Sequence, residues 1–282
     1  MSLASKDAAQ HAHSPAVSAA KARRFGAWYV AEHKIRTMRG YKWTIAVDGV
    51  GSPIVYLFAL GVGLATLVDK GMHGTADGVG YLPFVAPALL ATAAMMTATE
   101  EFTYPVMDGF KWRRVYYGFN ASPLSTGQLV DGIILGTAAR LAATSIVYYI
   151  IMLIFGAVPN GGLGALTVPI ALLCGLAVGT PLMSYSASIT EDRGQFAMMM
   201  RFVITPLFLF SGTFFPLDRL PVYLQWIGWL SPLWHGSELG RVVSYGLAEP
   251  PWLTAAHIVY PLALAVAGWA VCRRLFARRL GK

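Results

Sequence analysis

Long apolar runs alternate with short polar stretches along almost the whole chain. Six runs reach the roughly 20 residues that a helix needs to cross a hydrocarbon layer about 30 Å thick. They lie at about 45–68, 82–103, 132–154, 167–188, 196–215 and 254–272. The pattern predicts an all-α polytopic membrane protein with six transmembrane helices. Ahead of the first run, residues 22–43 mix bases with aromatics. Phe25, Trp28 and Tyr29 fall close together, and Lys34, Arg36, Arg39 and Lys42 follow. That mixture predicts an amphipathic interface helix in the headgroup region, which also anchors the first span.

Two polar stretches stand out between the runs. Residues 104–131 carry a basic-aromatic cluster, Lys111-Trp112-Arg113-Arg114, between Asp108 and the pair Tyr116-Tyr117. Residues 216–253 are rich in Trp and Pro, and Pro216, Pro221 and Pro232 cut them into pieces too short to span. Leu220, Leu224 and Ile227 keep helical spacing, as do Trp226, Trp229 and Leu230. Two short re-entrant helices are expected there, with the tryptophans at headgroup level.

Composition agrees with this pattern. Apolar residues make up 56% of the 282 and charged residues 13%, against about a quarter charged in soluble domains. The net charge of +8 is no sign of nucleic acid, because its placement follows membrane topology. Of the 22 Lys and Arg, only Lys70, Arg219 and Arg241 fall on one side, and Arg140 and Arg201 fall within spans. All the others collect on the opposite side, which puts both termini in the cytoplasm of a plasma (inner) membrane protein. Residues 1–21 lack an apolar core and are expected to be a disordered cytoplasmic tail rather than a signal peptide. Residues 276–282 are expected to be a basic cytoplasmic tail.

Charge inside the spans is scarce. Asp48, Arg140 and Arg201 are the membrane-buried candidates; Asp48, near a span end, either caps or functions. Glu100-Glu101 and Glu191-Asp192 are neighbours that do not point the same way on a helix, so they make poor acid/base dyads. They are expected on a solvated face or at a protein contact. His235 and Glu238 lie one turn apart, but no further ligand accompanies them, and no metal is expected. Cys174 and Cys272 have no metal-ligand spacing and are expected to stay unpaired. No phosphate-cradling G-x-x-x-x-G-K-[ST] motif occurs, so the chain binds no ATP by that route. Gly132/Gly136 and Gly175/Gly179 are small-xxx-small pairs that serve either packing within one protomer or a dimer seam.

The stretches GFKWRRVYYGFNASPLSTGQLVDGIILG (109–136) and FVITPLFLFSGTFFPLDRLPVYLQWIGWLSPLWHGSELGR (202–241) resemble the membrane subunit of type-2 ABC exporters. The lipo-oligosaccharide (nodulation-factor) and daunorubicin-type permeases are the nearest kinds. The resemblance covers about residues 25–275, and it implies a permease domain over 22–275. It also implies two copies of an ABC ATPase beneath, carrying ATP and Mg, and a second permease, usually an identical copy. A coupling helix at about Gly109–Tyr117 would enter a groove on the ATPase. There Lys111, Arg113 and Arg114 would supply charge, and Trp112, Tyr116 and Tyr117 buried anchors. Glu191, Asp192 and Arg193 would make a second contact. Phe208, Phe210, Phe214 and Phe215 would either line an apolar exit route or face lipid. An ion-coupled carrier and a non-transporting assembly protein remain as alternative classes.

Overall fold

The computed structural model describes residues 15–65 and 78–281. The expected N-terminal tail up to residue 14, the polar loop over 66–77 and Lys282 lie outside them. Among the described residues every regular element is helical. Helix α1 (Pro15–Met38) passes through a 3-10 turn at Arg39–Tyr41 into α2 (Lys42–Phe58), which ends in a π turn, Ala59–Leu64. Then follow α3 (Tyr81–Phe102), the short α4 (Tyr104–Phe110) and α5 (Val115–Asn120), and the long α6 (Thr126–Ile154). The single turn α7 (Gly161–Gly164) leads into α8 (Thr167–Ser188). Next, α9 (Gln195–Met199), a π turn at Met200–Ile204 and α10 (Thr205–Phe210) form one interrupted rod. The chain closes with α11 (Val222–Leu230), α12 (Pro232–Tyr245) and α13 (Pro251–Leu280).

α3 is the hub. Most of it is buried, and α6, α8 and α12 all pack on it. Small residues let these helices approach closely. A Cβ on Gly175 or Gly179 would strike the α3 backbone at Ala94 or the Phe102 ring. On Gly132 and Gly136 it would meet Ala27, Val30 and Lys34 of α1. Both glycine pairs are therefore used within the protomer. α8 and α13 are further joined by hydroxyls that reach backbone carbonyls across the seam. Thr180 donates to Ala265 O at 2.9 Å, and Ser184 to Gly268 O at 2.8 Å.

Several expectations change. Among the described residues five segments are long and apolar enough to cross a membrane by length and composition: Ala19–Gly61, Tyr81–Phe110, Thr126–Ile154, Gly161–Ser188 and Pro251–Leu280. The run expected at 196–215 stops at Phe210, where Ser211 leaves helical geometry and Gly212 takes φ +68°. At 1.5 Å per residue, Gln195–Phe210 covers only about 24 Å. Pro206 has no amide to donate and its ring crowds the preceding turn, and the π turn lies just before it. Residues 15–21, expected in the disordered tail, begin α1. The interface helix does not stand off from the bundle. It runs beside the start of α6 in the same direction, with Val30 and Ala31 buried and Phe25, Trp28 and Tyr29 exposed on the other side. Gln128 of α6 donates to Arg23 O at 2.6 Å. The supposed basic tail is the last two turns of α13, with Phe276 and Leu280 buried.

Of the three charges expected inside the membrane, only Arg140 is drawn into the bundle, half-buried with its side chain 9% exposed. Arg201 lies exposed on the π turn, and Asp48 is exposed while accepting a hydrogen bond from Ser52 Oγ at 3.0 Å. Arg140 of α6 donates to Glu101 of α3, and Lys34 of α1 donates to the same carboxylate at 2.5 Å. Of the pair expected on a solvated face or at a protein contact, Glu100 is exposed, whereas Glu101 is 2% exposed and bonded within the protomer. A charge inside a span needs a countercharge, and here one carboxylate staples three helices.

Candidate functional site

The basic end of the bundle collects the segments singled out in the sequence. The expected helix over Gly109–Tyr117 is instead a helix–turn–helix. α4 ends at Phe110, Lys111–Arg114 form the turn, and α5 restarts at Val115. Arg114 is in the left-handed region (φ 54°), which ends one helix and re-aims the next. Asp108 pairs with Arg113 across the turn. That carboxylate, hydrogen-bonded to the guanidinium, raises the Arg113 pKa further above its ordinary value. Trp112 is 51% exposed and Tyr117 40%, and Lys111, Arg113 and Arg114 are exposed beside them. The Arg114 guanidinium lies 5.6 Å from the Tyr117 ring centre.

Tyr116 cannot anchor a partner, because it is already used inside. Its ring sits 4.9 Å from Phe110 and 5.5 Å from Phe276, and burial raises its pKa. Gly109 is required by this packing, since any Cβ there would enter the Tyr116 ring. The far end of α13 completes the platform. Arg279 stacks 4.1 Å over Phe110 and donates to Ala187 O at 2.6 Å, and Asn120 donates to Leu280 O at 3.0 Å.

The second expected contact lies at the same end. Glu191, Asp192 and Arg193 are exposed on a tight loop. Arg193 pairs with Glu191 at 2.7 Å, Asp192 accepts from Gly194 N at 3.1 Å, and Gln195 donates to Glu191 O at 2.8 Å. The two loops share an apolar floor of Met107, Ile189, Phe196 and Met199. Tyr104 meets Phe196 edge-on at 4.8 Å. Between α4 and α1 runs a groove of about 440 Å³ lined by His33, Lys34, Tyr41, Asp108 and Trp112.

The opposite end is built differently. α11 and α12 meet at Ser231, whose hydroxyl caps α12 at Leu233 N and accepts a hydrogen bond from Ser211 Oγ at 2.6 Å. Trp226 and Trp229 are exposed, Pro216 half-buried, Pro221 exposed and Pro232 buried at N1 of α12. α12 is tucked against α3 and α8, with Gly236 at Cys174 and Gly240 at Pro87. Arg241 is 1% exposed. It donates to Phe84 O at 3.2 Å, Gly212 O at 2.6 Å and Glu238 at 2.7 Å, and stacks 3.8 Å from the Phe84 ring centre. His235 pairs with His257 (Nδ1 to Nδ1, 2.8 Å) and with Trp229 O rather than with Glu238. Glu249 stands 3.2 Å from His257 Nε2. Among the described residues no group of three such side chains could hold a metal. The phenylalanines split: Phe208 and Phe214 pack edge-on at 5.2 Å, Phe210 is half-buried and Phe215 exposed.

Glu101, Phe276, Arg279, Arg241 and His257 were not foreseen as structural partners. A lone arginine in a span could have pointed to Glu101; nothing local marked the others.

The model for the family described as "ABC-2 type transporter" matches residues 28–245. Nodulation protein J of Rhizobium leguminosarum bv. viciae is 32% identical over 237 residues, covering 83% of this chain and 87% of that one. Nodulation protein J of Rhizobium meliloti is 29% identical, covering 83% and 86%. The inner membrane transport permease YadH of Escherichia coli is 23% identical, covering 74% and 79%. Five apolar helices, a basic helix–turn–helix at one end and these similarities agree: the chain belongs to the ABC-2 type transporter family and is a multi-pass membrane transport permease.

Proposed function

We propose that this chain is the permease half of an ATP-driven exporter. It pairs with a second copy of itself, and two ABC ATPase subunits carry the ATP and Mg. In this reading the basic end is cytoplasmic, with both termini on that side of the inner membrane. Gln195–Phe210 and the loop after it serve as the fifth of six spans. α11 and α12 re-enter from the outer face, and surrounding lipid covers the exposed apolar helix faces. The cargo is amphipathic: a lipid, glycolipid, polysaccharide or drug.

One observation carries the reading. Lys111, Trp112, Arg113, Arg114 and Tyr117 project from a turn whose base is locked by Phe110, Tyr116, Phe276 and Arg279. Exposed Trp, Tyr and Arg on a rigid mount suit a protein partner, because such residues dominate interface energy. A rigid base also passes displacement into α3 and α13 rather than absorbing it. Replacing Trp112 and Arg113 together by alanine should leave membrane insertion normal. It should reduce export, and the permease-dependent part of ATP hydrolysis, by more than tenfold in vesicles. Undiminished export by the double variant would refute the docking assignment.

A further inference from the structure

A cavity of about 240 Å³ lies inside the protomer, between α2, α3 and α6. It is long and narrow, since the lining stretch of α3 from Leu89 to Glu100 covers about 16 Å. Three kinds of wall follow one another along it. Near the basic end stand the carboxylates of Asp48 and Glu100. In the middle are Ser145 and Tyr148 of α6, 2% and 3% exposed, whose hydroxyls have no hydrogen-bond partner among the described residues. Beyond these the walls are apolar, with Leu89, Leu90 and Phe208.

The charge at the first end does not cancel. Among the described residues, the ion pairs of Asp48, Glu100 and Glu101 involve two cations, Arg140 and Lys34. Arg140 binds Glu101 and lies 3.7 Å from Glu100, and Lys34 binds Glu101. Among the described residues no Lys, Arg or His lines the cavity itself. Burying a hydroxyl without a partner is unfavourable, and two on one wall mark a place where a ligand's polar groups would be satisfied. A way in exists. Asp48, Ser52 and Tyr56 also line a shallow groove on the outer face of α2, beside Trp43, Val47 and Val55.

The geometry points to a binding site for an amino-alcohol amphiphile, within one protomer and behind α2. Its ammonium sits between Asp48 and Glu100, its hydroxyl meets Ser145 and Tyr148, and its tail follows Leu89, Leu90 and Phe208. The site requires neither a partner ATPase nor a second permease.

The test uses the full chain in nanodiscs of zwitterionic lipid at neutral pH. Three additives share one tail length: 2-aminodecan-1-ol, decane-1,2-diol and 2-hydroxydecanoate. All three partition into the membrane, so the comparison between them isolates the head group. The amino alcohol should raise the unfolding midpoint at a concentration at least tenfold below that needed for the diol, and the hydroxy acid should not raise it. Asp48→Asn should remove the preference for the amine. The pair Ser145→Ala and Tyr148→Phe should weaken the amine's effect about tenfold while leaving the ligand-free midpoint at or above that of the parent. Equal responses to amine and diol would overturn the assignment. So would an unchanged response of the double variant, or a lower ligand-free midpoint, which would show that the hydroxyls already have partners within the protein.

Discussion

The two ends of the bundle use the same materials to opposite ends. Each has a pair of short helices, a cluster of aromatics and at least one arginine bonded to a carboxylate. At the basic end the arginine of the turn faces outward: the Arg113 side chain is 65% exposed and its carboxylate partner sits beneath it. At the other end Arg241 is 1% exposed and spends its donors on two backbone carbonyls and Glu238. Trp112 stands free at the first end, whereas the ring of Trp234 lies against His235 and His257 at the second. Outward charge on a rigid base is available for contact with another molecule. Inward charge serves only the protomer and holds a cap in place. Mutational effects should therefore divide, with stability concentrated at Arg241 and little of it at Arg113.

The largest effect is expected at Arg241. Substitution by alanine takes one charged donor from Glu238 and the guanidinium from the carbonyls of Phe84 and Gly212, and removes the cation stacked on Phe84. Breaking a buried pair costs about 3–5 kcal/mol. The protein should unfold at clearly lower denaturant in mild detergent, with α12 losing protection from hydrogen exchange first. A cost below about 1 kcal/mol would show that the cap is held by apolar packing alone, and the contrast between the ends would collapse.

Glu101 comes next. It lies under the basic end but belongs to the interior, and Lys34 and Arg140 both depend on it. Glu101→Gln keeps the shape and removes the charge, so Lys34 loses its carboxylate and Arg140 keeps only Glu100, 3.7 Å away. Hydrogen bonds to charged groups contribute about 1.5–3 kcal/mol each, and a loss of roughly 2–3 kcal/mol is expected because the amide retains part of the bonding. The measurement is the same unfolding curve. A loss as small as that of an exposed pair would mean that the three helices need no staple.

Much of this fold was legible in the sequence, because apolar length and basic asymmetry are properties of whole segments. Five of the six runs fall largely within the long apolar helices, and two of them, 82–103 and 167–188, match to within a residue. The run at 196–215 failed for a local reason: Ser211 and Gly212 stop a helix whatever the apolarity of Phe214 and Phe215 beyond it. The exposed tip at Lys111–Arg114 was found, but its shape was not, since the break depends on a left-handed Arg114 that no residue preference announces. Tyr116 and Tyr117 look alike in the sequence. Only the position of Phe276, 160 residues further along, decides that one is buried and the other exposed. Pairings across such distances, Glu101 with Arg140 or His235 with His257, follow from packing and not from spacing.

The smallest stability effect, and the sharpest test of the contrast, is at Arg113. Its pair with Asp108 is exposed on one side, where solvent and salt screen the attraction and side-chain entropy opposes it. Arg113→Ala should therefore cost less than about 1 kcal/mol, and the cost should shrink as salt is raised. Arg113→Lys should keep the charge but not the planar fork that a carboxylate partner grips at two points. If the tip is a docking element, the lysine variant will be as stable as the parent and still couple poorly to the proposed ATPase. If the tip is merely a solvated loop end, alanine, lysine and parent will be indistinguishable in both stability and coupling. A stability loss at Arg113 equal to that at Arg241 would mean that the turn is part of the protein's interior framework, and the two ends would no longer differ in kind.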